Sequence, residues 1–377
     1  MDSKPHFDTK LIQEFRGVVT ENRYVLFKYE NVNGKCLWNC ICSAMDWITV
    51  AMEYVQAVKE GTVTFKHCME KYAYISAIDN VWEAIKQLHR VFIDEKTIPF
   101  AGTNQIFKDK AIPSKDDNTY FKEIRSAFGA HPVNLKEYEG ERFFASWPTE
   151  QDILKGDYSV LLYGNDFAKD TLKSFYIHYA EIDAFLLERY GYLNDITDSI
   201  QKERQQYFDE MRTEPISKSE DIIDQLEILR KESSKRLNVT EINGMINELQ
   251  MIYTVPITQE ANQEMVEKYR NDLRQEIEQI YVYLQKMDFE NDLPCTILFE
   301  SGFDISSSFG YYCGKLQNLL FTPELRRDDE EFVIHGLKSL CEGQFLFKFE
   351  SVEELAILTR AYIHLKIHEK MNIVKGK

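Results

Sequence analysis

The sequence lacks a hydrophobic run long enough to cross a membrane. Of its 377 residues, 44% are hydrophobic, but no stretch approaches the roughly 20 consecutive apolar residues that a membrane helix needs. The opening segment, MDSKPHFDTKLIQEF, does not have the basic-then-apolar order of a secretory leader. The sequence therefore predicts a cytoplasmic protein with no membrane partner.

Cysteine is scarce and irregularly spaced. The seven cysteines are an odd number without a repeating interval, which argues against a disulfide framework. Cys36, Cys40 and Cys42 form one close group, but no paired CxxC motif or neighbouring histidine completes a zinc site. Buried thiols in the core are the favoured interpretation.

Several motifs of nucleotide and hydrolase chemistry are also missing. The sequence contains no GxxxxGK[ST] phosphate loop, no GxGxxG and no nucleophile elbow. Nucleotide hydrolysis and dinucleotide chemistry are therefore not predicted, and no cofactor is expected.

Positive charge is in deficit, and the deficit is uneven. The net charge is −17, which argues against broad, nonspecific binding to nucleic acid. Residues 1–150 hold 19 Lys and Arg against 21 Asp and Glu, whereas residues 151–377 hold 26 against 41. A polyanion would meet less repulsion in the first part of the chain.

Most of the chain has helical periodicity. Apolar residues between about 36 and 59 recur at three- and four-residue steps, which predicts one buried stripe ended by Gly61. Two further helices are expected near 64–76 and 79–92, with Asp79 or Asn80 as an N-cap. The first stripe consists of Trp38, Ile41, Met45, Ile48, Met52 and Val55.

A β-element and more helices follow. Aromatic and branched residues at 143–147 and 158–163 predict a small two-stranded hairpin. Pro215 and Pro256 indicate breaks between helices. Helices are expected near 119–128, 170–211, 219–237, 240–253, 259–287, 328–341 and 351–371.

The segment FKEIRSAFGAHPVN places two chemically useful side chains where a helix is expected to end. Arg125 can hold a phosphate, and His131 can exchange a proton near neutral pH. Gly129 is expected to form a left-handed cap, and Pro132 prevents the helix from continuing. The chain could then turn back and bring His131 beside Arg125.

The same residues also fit an ordinary helix end. A basic residue in the last turn, a glycine after it and a proline soon after are typical of helix termination. Arg125 would then interact with the helix dipole, and His131 would be a loop residue.

The heptapeptide RSAFGAH, with five residues between Arg125 and His131, resembles the motif of HEPN proteins. These are helical proteins, many of which are ribonucleases of toxin–antitoxin and antiphage systems. The resemblance implies a metal-independent endoribonuclease in which Arg125 and His131 are catalytic, in a cleft between two copies of the chain. Ser126 stands where active members commonly carry Asn, Asp or His, and it could orient substrate together with Lys122.

The resemblance also implies an architecture and partners. It predicts a mainly α protein with a HEPN-like bundle at 1–142 and a β-hairpin plus long helix at 143–214. The resemblance covers at most about residues 1–200; beyond it, helical periodicity predicts a helical hairpin at 215–292 and a helical region at 293–377. RNA, with tRNA as a candidate, a second copy of the chain, and an antitoxin or sensor protein are the expected partners. The alternative is a non-catalytic helical protein that binds partners through its acidic helices.

His364 and His368 are four residues apart in HLKIHE, a spacing that can bind a metal from one helix face. The glutamate of an HExxH motif is missing, and the sequence offers no third ligand. No metal site is predicted.

Overall fold

The structure, a computed structural model, describes residues 7–135, 137–138, 141–147, 156–166, 172–289, 295–321, 329–341 and 348–375. The chain forms two compact units, Met1–Gln206 and Tyr207–Lys377. The boundary lies a few residues before the break expected at Pro215. The finer division at 142 and 292 stays a prediction.

The first unit is built on a helical hairpin and carries a small sheet. Its sheet has the order β1-β2-β3-β4 with antiparallel neighbours. The helices are α1 (Lys10–Thr20), α2 (Tyr24–Tyr29), α3 (Leu37–Glu60), α4 (Cys68–Phe92), α5 (Asp117–Arg125), α6 (Tyr179–Gly191) and α7 (Leu193–Thr213), and the strands are β1 (Glu137–Tyr138), β2 (Glu141–Ser146), β3 (Tyr158–Gly164) and β4 (Leu172–Ile177). The residues of α7 from Tyr207 onward belong to the second unit.

The periodic stripe of α3 is confirmed from Ile41 onward, whereas Trp38, its predicted first member, is only half-buried. Ile41, Met45, Ile48, Met52 and Val55 are buried, and the helix ends at Gly61, whose φ of +78° is a left-handed cap. This face packs against α4.

The predicted break before Asp79 is wrong, because α4 runs without interruption from Cys68 to Phe92. Its N-cap is His67, which forms a capping box with Glu70. Asp79 lies in the helix interior and is only 8% exposed. Asp79 has the residue type of a helix N-cap, but tertiary packing places it in the middle of α4.

The β-element is larger than the predicted hairpin. Leu172–Ile177, expected as the start of a helix, forms β4 and pairs along β3 from Tyr158 to Tyr163. The sheet packs through Phe175 against Tyr120 in the first turn of α5 and against Phe128, which lies just after the helix. The predicted fold class, mainly α with a small β insertion, is confirmed.

The second unit consists of helices around a core of its own. The helix expected near 259–287 is α10 (Glu260–Lys286), and it buries one face, formed by Tyr269, Leu273, Ile277, Ile280 and Leu284. The helix α11 (Ser307–Phe321) was not expected, because its sequence is rich in glycine and serine. The helices are α8 (Ile222–Lys235), α9 (Thr240–Thr254), α10 (Glu260–Lys286), α11 (Ser307–Phe321), α12 (Asp329–Leu340) and α13 (Val352–Lys375).

None of the helices that the structure describes has both the length and the apolar character needed to cross a bilayer. All seven cysteines are free thiols. The expectation of core thiols is wrong for the first group, since Cys36 is exposed and Cys40 and Cys42 are only half-buried.

Candidate functional site

Helix α5 presents Arg125 from a well-fixed end. The Asp116 carboxylate caps the helix by accepting a hydrogen bond from the Thr119 amide at 2.8 Å. Phe121 is buried and stacks on Phe185 of α6 with ring centroids 4.2 Å apart. The cap therefore fixes the start of α5, and the stacked Phe121 fixes the helix one turn before Arg125.

The chain does not leave the helix at Gly129. A π-helical turn, Ser126–Ala130, continues α5, and the His131 amide donates to the Ser126 carbonyl at 3.1 Å. Gly129 does not have the predicted left-handed conformation. Its role is close approach, because an added Cβ would lie 1.7 Å from the ring of Tyr72.

A buried carboxylate holds Arg125. Its Nε lies 2.6 Å from Oδ2 of Asp79, which joins α5 to α4. Burial raises the pKa of Asp79, and the charge of Arg125 offsets part of that rise. About 36% of the Arg125 side chain remains exposed. Within the described residues, its terminal guanidinium nitrogens have no further partner.

His131 lies just beyond the π-helical turn and faces solvent. Its backbone is held on both sides, since the next residue, Pro132, accepts a hydrogen bond from the Ala145 amide of β2 at 2.6 Å. The imidazole makes no hydrogen bond or ion pair with any residue that the structure describes, Arg125 included. The structure thus holds two accessible side chains at one helix end without joining them directly.

The two predicted substrate-binding residues flank Arg125. Lys122 is exposed on α5, and Ser126 is half-buried at the start of the π-helical turn. Sequence reasoning missed Asp79, although it holds Arg125, because its position was assigned to a helix cap.

A second cluster lies in the second unit, around His364 on α13. Its Nδ1 lies 2.8 Å from Oε2 of Glu300, and its Nε2 lies 3.0 Å from Oδ2 of Asp272 on α10. The ring of His368, one turn further along α13, has its centroid 4.3 Å from that of His364. Glu300, His364 and His368 could together supply three metal ligands.

His364 is only 3% exposed. Burial lowers its pKa, but hydrogen bonds and charge from Glu300 and Asp272 outweigh burial and raise the pKa above its usual value. His364, His368 and Asp272 line a cleft of about 450 Å³. Sequence spacing left the histidine pair without a third ligand, because Glu300 reaches it only through tertiary packing.

Comparisons with protein-family models, with curated proteins and with solved structures found no match to this chain.

Proposed function

We propose that the chain is a metal-independent endoribonuclease with a HEPN-like first unit, acting on cytoplasmic RNA in a toxin or defence context. The observation that supports this proposal is the placement of a partly exposed Arg125, held by Asp79, and an exposed His131 at the two ends of one π-helical turn. Such turns are rare and are frequent at functional sites.

Arg125 is suited to hold a phosphate. Asp79 contacts its Nε, and about 36% of the Arg125 side chain remains exposed. Two guanidinium N–H groups can bind two phosphate oxygens at once and offset the charge that develops on them. Lys122 adds a second cation on the same helix, and the Ser126 hydroxyl adds a donor.

His131 supplies the proton transfers. In its neutral form it accepts the proton of a ribose 2′-hydroxyl while O2′ attacks the phosphorus and the bond from phosphorus to O5′ breaks. The protonated His131 of a second copy of the chain gives its proton to O5′. The products are a 2′,3′-cyclic phosphate and a 5′-hydroxyl, and no step needs a metal.

A non-catalytic binding protein is the second candidate, and the Asp79 contact favours it. A carboxylate 2.6 Å from the guanidinium offsets much of the charge that would attract phosphate. In this case the pair serves to fasten α5 to α4, and the acidic surface of residues 151–377 binds a basic protein partner.

The test is cleavage of labelled RNA, including tRNA, by the purified full-length chain in excess EDTA. We expect cleavage to persist in EDTA, to yield cyclic-phosphate ends, and to fall at least about 100-fold in His131→Ala, the range general acid–base groups contribute. His335→Ala is the matched control, because His335 is also exposed and lies on α12 of the other unit.

Cleavage that is equal in the His131→Ala and His335→Ala variants would contradict the proposed catalytic site. The absence of cleavage by the wild type would contradict the ribonuclease and leave the binding protein. His131 is exposed, so its substitution is expected to leave folding intact, and circular dichroism at matched concentrations checks this.

A further inference from the structure

We propose that Glu300, His364 and His368 bind one divalent transition-metal ion of the Zn²⁺ type, with Asp272 orienting His364. The site lies in the second unit and is independent of the proposed ribonuclease site. Two imidazoles and a carboxylate are a donor set typical of zinc, and three protein ligands leave a fourth position open.

The ligand atoms already converge. One donor atom from each of the three residues lies within 4.8 Å of the others. Ligand atoms bound to zinc at about 2.0–2.2 Å in a tetrahedron are about 3.3 Å apart. Donor atoms within 4.8 Å of one another must therefore approach by about 1.5 Å at most to reach that spacing. His368 is the more accessible of the two histidines.

Asp272 occupies the remaining nitrogen of His364. Metal-binding histidines usually donate their other N–H to a carboxylate, which fixes the tautomer and the ring orientation. Asp272 Oδ2 lies 3.0 Å from Nε2. Nε2 can therefore carry the proton, and the lone pair of Nδ1 then points towards Glu300 and the metal position.

The backbone that carries Glu300 is fixed in place. The buried Glu276 of α10 accepts hydrogen bonds from the amides of Ile297 and Leu298, the latter at 3.0 Å. Arg360, one turn before His364 on α13, donates to the Leu298 carbonyl at 3.2 Å. Since α10, α13 and the 295–301 segment are tied together, the site is organised before an ion arrives.

A protonated His364 that is hydrogen-bonded to the carboxylates of Glu300 and Asp272 would explain the arrangement of these three residues. It would not explain the position of His368. A second imidazole 4.3 Å from the first, on the same helix face, adds no partner to such an ion pair. A metal ion uses both rings as ligands.

The test is metal binding to the full-length protein after removal of metals with a chelator. We expect Zn²⁺ to bind with a stoichiometry of one per chain, measured by calorimetry and by elemental analysis after gel filtration. Co²⁺ should give the intense visible absorption of a tetrahedral site. Mg²⁺ and Ca²⁺ should compete poorly, because they prefer oxygen ligands.

Single substitutions distinguish the metal ligands from the residue that orients His364. We expect His368→Ala and Glu300→Gln to weaken Zn²⁺ binding at least about 100-fold, and Asp272→Asn to weaken it about 10- to 100-fold, as the loss of an orienting carboxylate does. His335→Ala, which removes an exposed histidine of the same unit, should bind as the wild type does. Far-ultraviolet circular dichroism verifies that each variant is folded.

Two outcomes would overturn the proposal. One is the absence of stoichiometric Zn²⁺ binding to the folded wild type, which would leave His364 as a paired imidazolium. The other is binding of equal strength in the wild type and in His368→Ala, which would place the ion elsewhere.

Discussion

At the residue scale, the surroundings of Arg125 depend on Asp79 and Gly129, two residues whose roles differ from those their sequence positions suggest. Asp79 fits a helix cap in sequence, yet it is an interior carboxylate paired with Arg125. Gly129 fits a left-handed cap, yet it is a contact point for Tyr72. Both roles depend on α4 lying against the end of α5.

Gly129→Ala is expected to destabilise the first unit. The new methyl would meet the Tyr72 ring at 1.7 Å, so the ring or the π-helical turn must move, at a cost of about 1–3 kcal/mol. Denaturant unfolding followed by fluorescence measures the change.

Gly17→Ala is the control, because nothing lies within 4 Å of a Cβ at this position on α1. Alanine there should stabilise the helix by about 0.5–1 kcal/mol. An unfolding midpoint for Gly129→Ala that is equal to or above that of the wild type would contradict the close contact.

At the element scale, α4 depends on its first turn. The Glu70 carboxylate accepts hydrogen bonds from the Thr64 hydroxyl at 2.5 Å, from the His67 amide at 3.0 Å and from the Lys66 amide. The Thr64 hydroxyl and then the His67 amide contribute most to lowering the pKa of Glu70 from 4.5 to about 2. This carboxylate thus secures the start of the helix that carries Asp79.

The stability that Glu70 provides should depend on pH. Because its pKa is lower in the folded state, the stabilisation is complete above the ordinary value of 4.5 and is lost as the pH falls through about 2. Glu70→Gln should remove this contribution, so the melting temperatures of variant and wild type should converge between pH 4.5 and pH 2.

Glu83→Gln is the matched control, since Glu83 lies exposed on the same helix and pairs with Lys86 at the surface. A gap between wild type and Glu70→Gln that stays constant over this pH range would show that the capping carboxylate is not the titrating group.

At the scale of the whole molecule, charge limits how RNA could be bound. The net charge is −17, and residues 1–150 are nearly neutral. A chain with this charge balance is not suited to broad electrostatic binding of RNA, so we expect affinity for RNA to come from a few local contacts. Arg125 and Lys122 are the two cations that the proposed site offers.

RNA binding should therefore depend only weakly on salt. Each phosphate contact with a single strand contributes about 0.7 to the slope of log K against log salt concentration. Two contacts give about 1.4 for each copy of the chain, and Lys122→Ala should lower this value by about 0.7, as measured by fluorescence anisotropy.

Lys202→Ala, which removes an exposed lysine on α7, should leave the slope unchanged. A slope several times larger in the wild type, or one insensitive to Lys122→Ala, would place the RNA on another surface.

The sequence by itself determined the helical class and many of the helix bounds. Stripes such as Met45, Ile48 and Met52 on α3 have the period of a helix, and Gly61 ends that helix through its own backbone freedom. These features are local, so periodicity and capping preferences are enough to predict them. The positions of Arg125, His131 and the His364–His368 pair could also be identified from spacing.

Only the tertiary structure decided what surrounds those residues. Asp79 reaches Arg125 from another helix, and Glu300 reaches His364 across 64 residues of chain. The strand β4 exists because it can pair with β3. Contacts of this kind depend on how separate helices and strands pack together. They cannot be predicted from the spacing of residues along one helix or strand.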